Sequence, residues 1–419
     1  MKQFMNSRDS LVTEAIDGLL RTSGGKLARL DGYPHIRVVV RTDWDRSRVA
    51  LVSGGGSGHE PSHAGFVGQG MLTAAVCGDV FASPSVDAVL AGILAVTGKA
   101  GCLLIVKNYT GDRLNFGLAA ERARAFGLKV SMVIVDDDIA LPDLPQARGV
   151  AGTLFVHKIA GAMAESGADL DTITAAATAV ITGAISIGMS LDTCTVPGSP
   201  KEDRIASGKA ELGLGIHGEA GIEQVSFTGA RSAMQMVAEK LLPHTGPGDH
   251  VALLNNLGAT TPLEMSILAE ELARSPLGAR VKWMIGPAPL MTSLDMHGFS
   301  VSLLPVDHAQ VTSLAAPVAP HAWPGLSPFG QIVTRPLPDG LAPIQAVPSA
   351  HPARRALIDR CCKSLIACEA DLNLLDAKSG DGDTGSTLAG AARALQSALD
   401  RLPLADPTQL YRAIGMELS

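Results

Sequence analysis

Aromatic side chains are scarce, with 3 Trp, 3 Tyr and 9 Phe making up 4% of 419 residues. That scarcity excludes a stacking platform for bases, and a net charge of −7 excludes the basic footprint that nucleic-acid binding depends on. Cysteine is also sparse. The six, Cys77, Cys102, Cys194, Cys361, Cys362 and Cys368, show neither C-x-x-C spacing nor a disulfide framework, and the opening MKQFMNSRDS lacks the apolar core of a secretory signal. A reduced, cytoplasmic protein is the expectation. Long uncharged runs are represented by residues 172–191, TITAAATAVITGAISIGMSL, twenty residues and long enough to span a bilayer. Eight of the twenty are Thr, Ser or Gly, and acidic Asp171 and Asp192 bracket the run, so the expectation is a helix buried in a soluble core and no membrane partner.

What the sequence does have is apolar material and glycine. Hydrophobic residues reach 46% against 18% charged, which supports sizeable cores and a length sufficient for two or three domains. The 45 Gly and 25 Pro point to loops that matter. From residue 36 onward, apolar runs alternate with helical stretches, the pattern of an α/β protein with mixed or parallel sheets. Strands are expected at 36–40, 48–53, 101–107, 128–135, 250–256, 280–286 and 299–306, most of them covered on both faces. Helices are expected at 113–126 and at 262–274, the latter with Thr261 as N-cap and Pro262 in the first turn. Nine prolines between Pro317 and Pro352 read as a linker, and the segment after it has a helical period at Leu357, Ile358, Cys361, Cys362, Leu365 and Ile366. So short a helical piece would be marginal as an independent fold.

The densest chemical signal is SGGGSGHEPSH, residues 53–63, directly after an apolar strand. Gly54, Gly55, Gly56, Ser57 and Gly58 are small enough for backbone amides to approach a ligand, beside His59, Glu60 and His63. The run lacks the Lys-Ser/Thr of a Walker loop, and as G-x-G-x-x-G it puts His59 where the last glycine belongs; a tight turn with no ligand is the other reading. KNYTGD, residues 107–112, offers Lys107 and Asp112 to a hydroxylated substrate, or is a solvated charge pair on a surface loop. GLGIHGEAG, residues 213–221, presents His217 between glycines, either as a nucleophile toward a carbonyl carbon or as a structural histidine. NNLGATT, residues 255–261, reads as a ligand-facing or interface loop. Near the end, Asp376, Asp381 and Asp383 among glycines suit an oxygen-ligated cation such as Mg²⁺, with Thr384, Ser386 and Thr387 available to phosphate oxygens; a metal-free turn would leave three carboxylates repelling one another.

Five segments in order over most of the chain resemble the dihydroxyacetone kinase (glycerone kinase) family: residues 53–85, 107–116, 213–221, 255–265 and 372–392. The resemblance implies a dihydroxyacetone-binding domain over 1–335, in two α/β lobes of about 1–190 and 191–335. A proline-rich linker over 336–352 and the N-terminal part of an all-helical ATP-binding domain over 353–419 would follow. It implies that His217 forms a covalent hemiaminal with the ketone, that Gly56, Ser57, Gly58 and Lys107 bind substrate, and that Asp112 acts with His59 on the hydroxyl to be phosphorylated. It further implies Mg²⁺ at Asp376, Asp381 and Asp383, ATP as phosphoryl donor with Thr384, Ser386 and Thr387 at the nucleotide, and a phosphotransferase with an alcohol acceptor. Dihydroxyacetone is the implied substrate, glyceraldehyde is left open, and a homodimer is the implied assembly. Family nucleotide domains are longer than residues 353–419, so the helical domain is expected to be incomplete. Two alternatives stand beside the kinase: a substrate-binding subunit served by a separate nucleotide-domain partner, and a non-catalytic dihydroxyacetone-binding regulatory protein.

Overall fold

The computed structural model describes residues 3–32, 35–141, 146–338 and 346–418. Two units are present, Met1–Gln331 and Ile332–Ser419; residues 339–345 of the expected linker lie outside the described residues. The first unit carries two mixed sheets. One contains β1 (Leu27–Arg29), β2 (Val38–Arg41), β3 (Ala50–Ser57), β4 (Ala74–Val80), β5 (Cys102–Lys107) and β6 (Val130–Val135), ordered β1-β2-β4-β3-β5-β6. The other contains β7 (Ile185–Ser190), β8 (Lys209–Leu212), β9 (Glu223–Ser226), β10 (His250–Asn256), β11 (Val281–Ala288), β12 (Gly298–Pro305) and β13 (Leu326–Pro328), ordered β13-β11-β10-β12-β7-β8-β9. Every strand expected from the sequence is present.

Helices α1 (Leu11–Thr22), α2 (Val86–Val96), α3 (Thr110–Ala125), α4 (Thr153–Glu165), α5 (Leu170–Gly183), α6 (Ala230–Leu241), α7 (Pro262–Arg274) and α8 (His308–Ala315) cover the sheets. Strand alternation sorts the apolar side chains to two faces. Leu51, Leu103 and Ile105 join α4 and α5 in one core, whereas Val52, Leu104 and Val106 pack against α2 and α3 in another. The second sheet repeats the division, with Val251, Leu253 and Ile285 in the α4–α5 core and Ala252, Leu254 and Leu303 in a core with α6 and α7. The α4–α5 layer is therefore shared by both sheets. Consistent with that position, α4 is apolar nearly all round, and burying its Leu154, Phe155 and Ile159 contributes about 2 kcal/mol each.

The uncharged run at 172–191 is not one buried helix. It divides into α5, which buries Ile173, Ala177 and Val180 at helical spacing, and β7, with Ala184 already extended between them. No helix of the described residues is long and apolar enough to cross a membrane. β7 pairs with β12, so the sequence-expected lobe boundary at 190 and 191 falls at the end of a second-sheet strand. Thr261 caps α7 as expected, in a reciprocal box with Glu264.

The second unit consists of α9 (Pro352–Ala367), α10 (Glu369–Asp376), α11 (Thr384–Ala398) and α12 (Pro407–Leu418). Its core is small. Cys362 packs with Ala392, Leu395, Leu399 and Leu410, and Ile358 and Ile366, one turn either side of it, lean on that cluster. The other half of the expected stripe, Leu357, Cys361 and Leu365, is exposed.

β3 and β4 approach so closely that a Cβ on Gly54 would lie 2.1 Å from the Val76 carbonyl oxygen. A backbone atom in a central strand cannot yield. Gly54→Ala is therefore expected to cost at least about 3 kcal/mol, read as a lowered urea midpoint at unchanged m-value.

Candidate active site

The glycine run is not a loop after the strand, as the sequence suggested, but the end of the strand itself: β3 continues to Ser57, buried throughout. It stays extended because no side chain is needed there. A Cβ on Gly56 would meet the Ala82 nitrogen at 2.7 Å, and one on Gly58, at φ +101°, would meet the Phe81 ring at 2.8 Å. Phe81 and Leu294, which both press on Gly58, hold left-handed backbones at φ +56° and +53°. Such conformations cost about 1–3 kcal/mol each in non-glycine residues and collect at ligand sites. The Ser57 hydroxyl is committed to the Gly78 carbonyl at 2.9 Å, which leaves its backbone as the part free for a ligand.

β3 lies between β4 and β5 and is parallel to both; the chain passes from β3 to β4 on one side and crosses through α2 to β5 on the other, which places a crevice at the carboxyl end of β3. Loops of the second sheet close that crevice. Asn255, at the end of β10, accepts from the Leu290 and Met291 amides at 3.0 and 2.9 Å and donates to the Met291 carbonyl at 2.7 Å. The next three residues each hold part of the site. The Thr292 carbonyl accepts from His59 Nδ1 at 2.8 Å, the Ser293 hydroxyl donates to the Ile216 carbonyl at 2.5 Å, and the Leu294 amide donates to the Gly58 carbonyl at 2.8 Å. Within NNLGATT, Asn255 is thus scaffolding for the crevice.

Two tautomers follow from these partners. A carbonyl can only accept, so His59 carries its proton on Nδ1, and its buried Nε2, which has no partner, is bare. The Glu219 carboxylate accepts from His217 Nδ1 at 3.0 Å and from the His217 amide at 2.9 Å, which leaves His217 Nε2 as its free lone pair. Burial pushes the Glu219 carboxyl up, but the hydrogen bond and charge of His217 outweigh it and bring it to about 2. The His217 ring is walled by Tyr109 at 4.5 Å, His59 at 4.8 Å and Phe81 at 5.2 Å, all edge-on.

Lys107 and Asp112 are 1% and 3% exposed, which removes the surface-loop reading. α3 begins at Thr110, three residues before the expected start, and so carries Asp112 in its first turn, next to the end of β5. Both groups approach Gly55: a Cβ there would lie 3.4 Å from Asp112 Oδ2 and 3.6 Å from Lys107 Nζ. Burial lowers the Lys107 ammonium, countered first by Asp112; burial raises the Asp112 carboxyl, countered first by Lys107. Lys107 Nζ and Asp112 Oδ1 have no hydrogen-bond partner. Together with the bare His59 Nε2, these are unsatisfied buried groups of the kind that a small polyhydroxylated ligand would satisfy.

In the second unit, Asp376, Asp381 and Asp383 each bring an oxygen within 4.8 Å of the others. Asp376 Oδ2 accepts the Gly382, Asp383 and Thr384 amides at 3.0, 3.1 and 3.3 Å, which folds the loop over it. The hydrogen bond and charge of Asp381 raise the Asp383 carboxyl. Carboxylates this close fit a divalent cation, and Thr384, Ser386 and Thr387, exposed in the first turn of α11, fit phosphate oxygens at a helix N-terminus.

His59, Lys107, Asp112 and His217, with Gly56, Ser57 and Gly58 at the strand end, are thus gathered in one crevice, and the three aspartates in another place. Glu219 and Tyr109 lay inside motifs that the sequence made conspicuous but were assigned no part. Phe81 and Thr292 carried no sequence signal, because their contributions are a backbone conformation and a carbonyl.

A family model described as the Dak1 domain matches residues 18–322. The chain is 48% identical to the dihydroxyacetone kinase of Citrobacter freundii over 99% of its own length and 76% of that protein's. It is 42% identical over 77% of its length to the whole of the dihydroxyacetone-binding subunit of a PTS-dependent dihydroxyacetone kinase from Listeria innocua. The crystal structure of the Citrobacter kinase in complex with AMP-PNP and Mg²⁺ superposes with a TM-score of 0.81 at 47% identity, covering 100% of this chain and 79% of that one. By fold and domain content this is a kinase-class Dak1-domain chain. It belongs to the dihydroxyacetone kinase family.

Beneath the crevice, His63 Nδ1 and His157 Nε2 both address the Ser53 hydroxyl, at 3.5 and 3.2 Å, with the two rings 5.2 Å apart. Burial, then the Lys107 charge, lowers both, and brings His157 to about 3. A histidine lowered in the fold favours the native state while neutral, so its contribution is complete above the unfolded value of about 6.5 and is lost as pH falls toward its folded value. Raised carboxyls such as Asp137, at about 6, work the opposite way, so the clean measurement is a difference. Relative to His157→Asn, the wild type is expected to lose about 2 kcal/mol more between pH 6.5 and 5 in urea titrations, the worth of one proton.

Proposed function

We propose that this chain is a dihydroxyacetone kinase that holds its ketone covalently on His217 and transfers the γ-phosphoryl group of ATP to it, giving dihydroxyacetone phosphate. The observation that carries the reading is the His217–Glu219 pair, with Nε2 left free, grouped with the bare His59 Nε2 and the unpartnered atoms Lys107 Nζ and Asp112 Oδ1. The similarity to the Citrobacter kinase over both units supports it.

His217 Nε2 attacks the carbonyl carbon; the N–C bond forms, the π pair moves to oxygen, and the oxygen takes up a proton. The ring gives up the Nδ1 proton that it shares with Glu219, so the hemiaminal is neutral. A covalent bond suits a three-carbon ketone, which has too few atoms for tight binding by contact alone. As the substrate hydroxyl attacks the γ-phosphorus, its proton passes to the His59 and Asp112 pair, the bond from phosphorus to the bridging oxygen breaks, and ADP leaves. Lys107 offsets the negative charge that gathers beside Asp112. Asp376, Asp381 and Asp383 would hold Mg²⁺, which supplies charge neutralisation on the nucleotide phosphates, with Thr384, Ser386 and Thr387 at the phosphate oxygens. Glyceraldehyde, an isomer with an aldehyde carbonyl and a terminal hydroxyl one carbon further away, is the second candidate substrate. A second reading, a substrate-binding subunit served by a separate nucleotide-bearing partner, draws support from the Listeria subunit; the aspartate cluster favours the first.

Intact-mass analysis with dihydroxyacetone is expected to show one added substrate mass, absent in His217→Ala; an adduct that persists in that variant overturns the assignment. Asp112→Asn is expected to keep the adduct and lower kcat by about 10²–10⁴-fold in a coupled Mg-ATP assay.

A further inference from the structure

A buried ion pair lies behind the His217 loop with no part in the chemistry above. Arg148 Nε donates to Asp138 Oδ2 at 2.7 Å, and Arg148 Nη2 donates to the Gly213 carbonyl at 2.7 Å. Asp138 is held in turn by the Ala140 amide at 2.9 Å. Both side chains are less than a tenth exposed. A buried pair of this kind adds little net stability over apolar residues of the same volume, so stability does not account for it. Its third nitrogen, Nη1, is buried and has no partner.

The direction of Nη1 is given by Gly215. A Cβ built on Gly215 would lie 2.1 Å from Glu219 Oε2 and 2.8 Å from Arg148 Nη1. The carboxylate and the guanidinium thus converge from two sides on the space that a side chain at 215 would fill. Gly215 does not have a left-handed backbone, so its glycine character answers to that space and not to conformation. The loop is otherwise tied to itself, with the Gly215 amide on the Glu219 carbonyl at 3.0 Å.

We infer that Asp138 and Arg148 are positioning residues for His217, acting through Glu219 across the gap at Gly215. Asp138 seats the guanidinium, the guanidinium faces the Glu219 carboxylate across the gap and holds its orientation, and Glu219 fixes the tautomer that frees His217 Nε2. Outer partners of this sort usually matter by about 10–100-fold where they orient an imidazole. The inference rests on the covalent role proposed for His217, and its test has an arm that does not.

The full chain, selectively ¹⁵N-labelled at histidine, is compared with Arg148→Met, Arg148→Lys, Asp138→Asn and Gly215→Ala, with melting temperature monitored. Free wild type is expected to show His217 as a single Nδ1–H tautomer, and Arg148→Met and Gly215→Ala to show a tautomer mixture. Adduct formation with dihydroxyacetone is expected to slow by about 10–100-fold in both. Arg148→Lys, which keeps the charge but not the fork, should recover part of each. Gly215→Ala sets its Cβ against Glu219 itself and so calibrates the loss of that hold, while Asp138→Asn, expected to give a partial tautomer mixture, carries the test if Arg148→Met does not fold. An unchanged tautomer and unchanged adduct rate in a folded variant overturn the inference. Absence of any adduct in wild type overturns the covalent reading, while the tautomer comparison still decides this one.

Discussion

The crevice depends on the side chain of one asparagine. Asn255 is fully buried and uses all of its hydrogen-bonding capacity, two amides into its oxygen and the Met291 carbonyl and Ser300 hydroxyl from its nitrogen. What it fixes is a strip of backbone whose following residues reach His59, the His217 loop and Gly58 in succession. The reacting groups come from two sheets, and this strip is where the second sheet registers against the first. An amide serves here because it matches both donors and acceptors without charge; a carboxylate in the same place would face the Met291 carbonyl with no proton to offer.

Around that register the electrostatics are set by Lys107. Burial first, and then this ammonium with no hydrogen-bond partner, lower His59, His63 and His157, and a neutral His59 is what a base in this crevice requires. The carboxyls respond in the opposite sense, each pulled toward the ionised form by the same cation while burial resists. Acid, base and nucleophile are thus separated less by residue type than by which partner occupies the other ring nitrogen or oxygen.

The sequence was informative wherever a residue acts through its own side chain in a fixed pattern. Apolar runs located the principal strands, Thr261 with Pro262 located the start of α7, and glycine density drew attention to the ends of β3 and β8. It was misleading where small residues serve packing. Gly54 and Gly56 read as loop but are strand, because what matters is the absence of a Cβ facing Val76 and Ala82, and periodicity does not report that. Residues 172–191 read as one helix because composition alone does not mark the change from helix to extended chain at Ala184. The edge strands β1, β9 and β13, and β8 beside β9, are three or four residues long and polar enough to pass as loop. Arg148 and Thr292 matter through Gly213 and His59, partners distant in sequence that no local pattern reveals, whereas Glu219 acts on His217 two residues away.

The shared α4–α5 layer also governs how this molecule can be taken apart. Many two-sheet enzymes open and close like a jaw, because each half keeps its own core. Here the central core belongs to both sheets at once, so a jaw motion would expose Leu154, Phe155 and Ile159 to water. Substrate must therefore come and go through the loops at the strand ends, over a body that stays shut. The same arrangement denies a clean crossover point to anyone recombining halves from relatives: a junction near residue 184 follows the change of sheet but leaves each parent with half of a core that only its own partner fits.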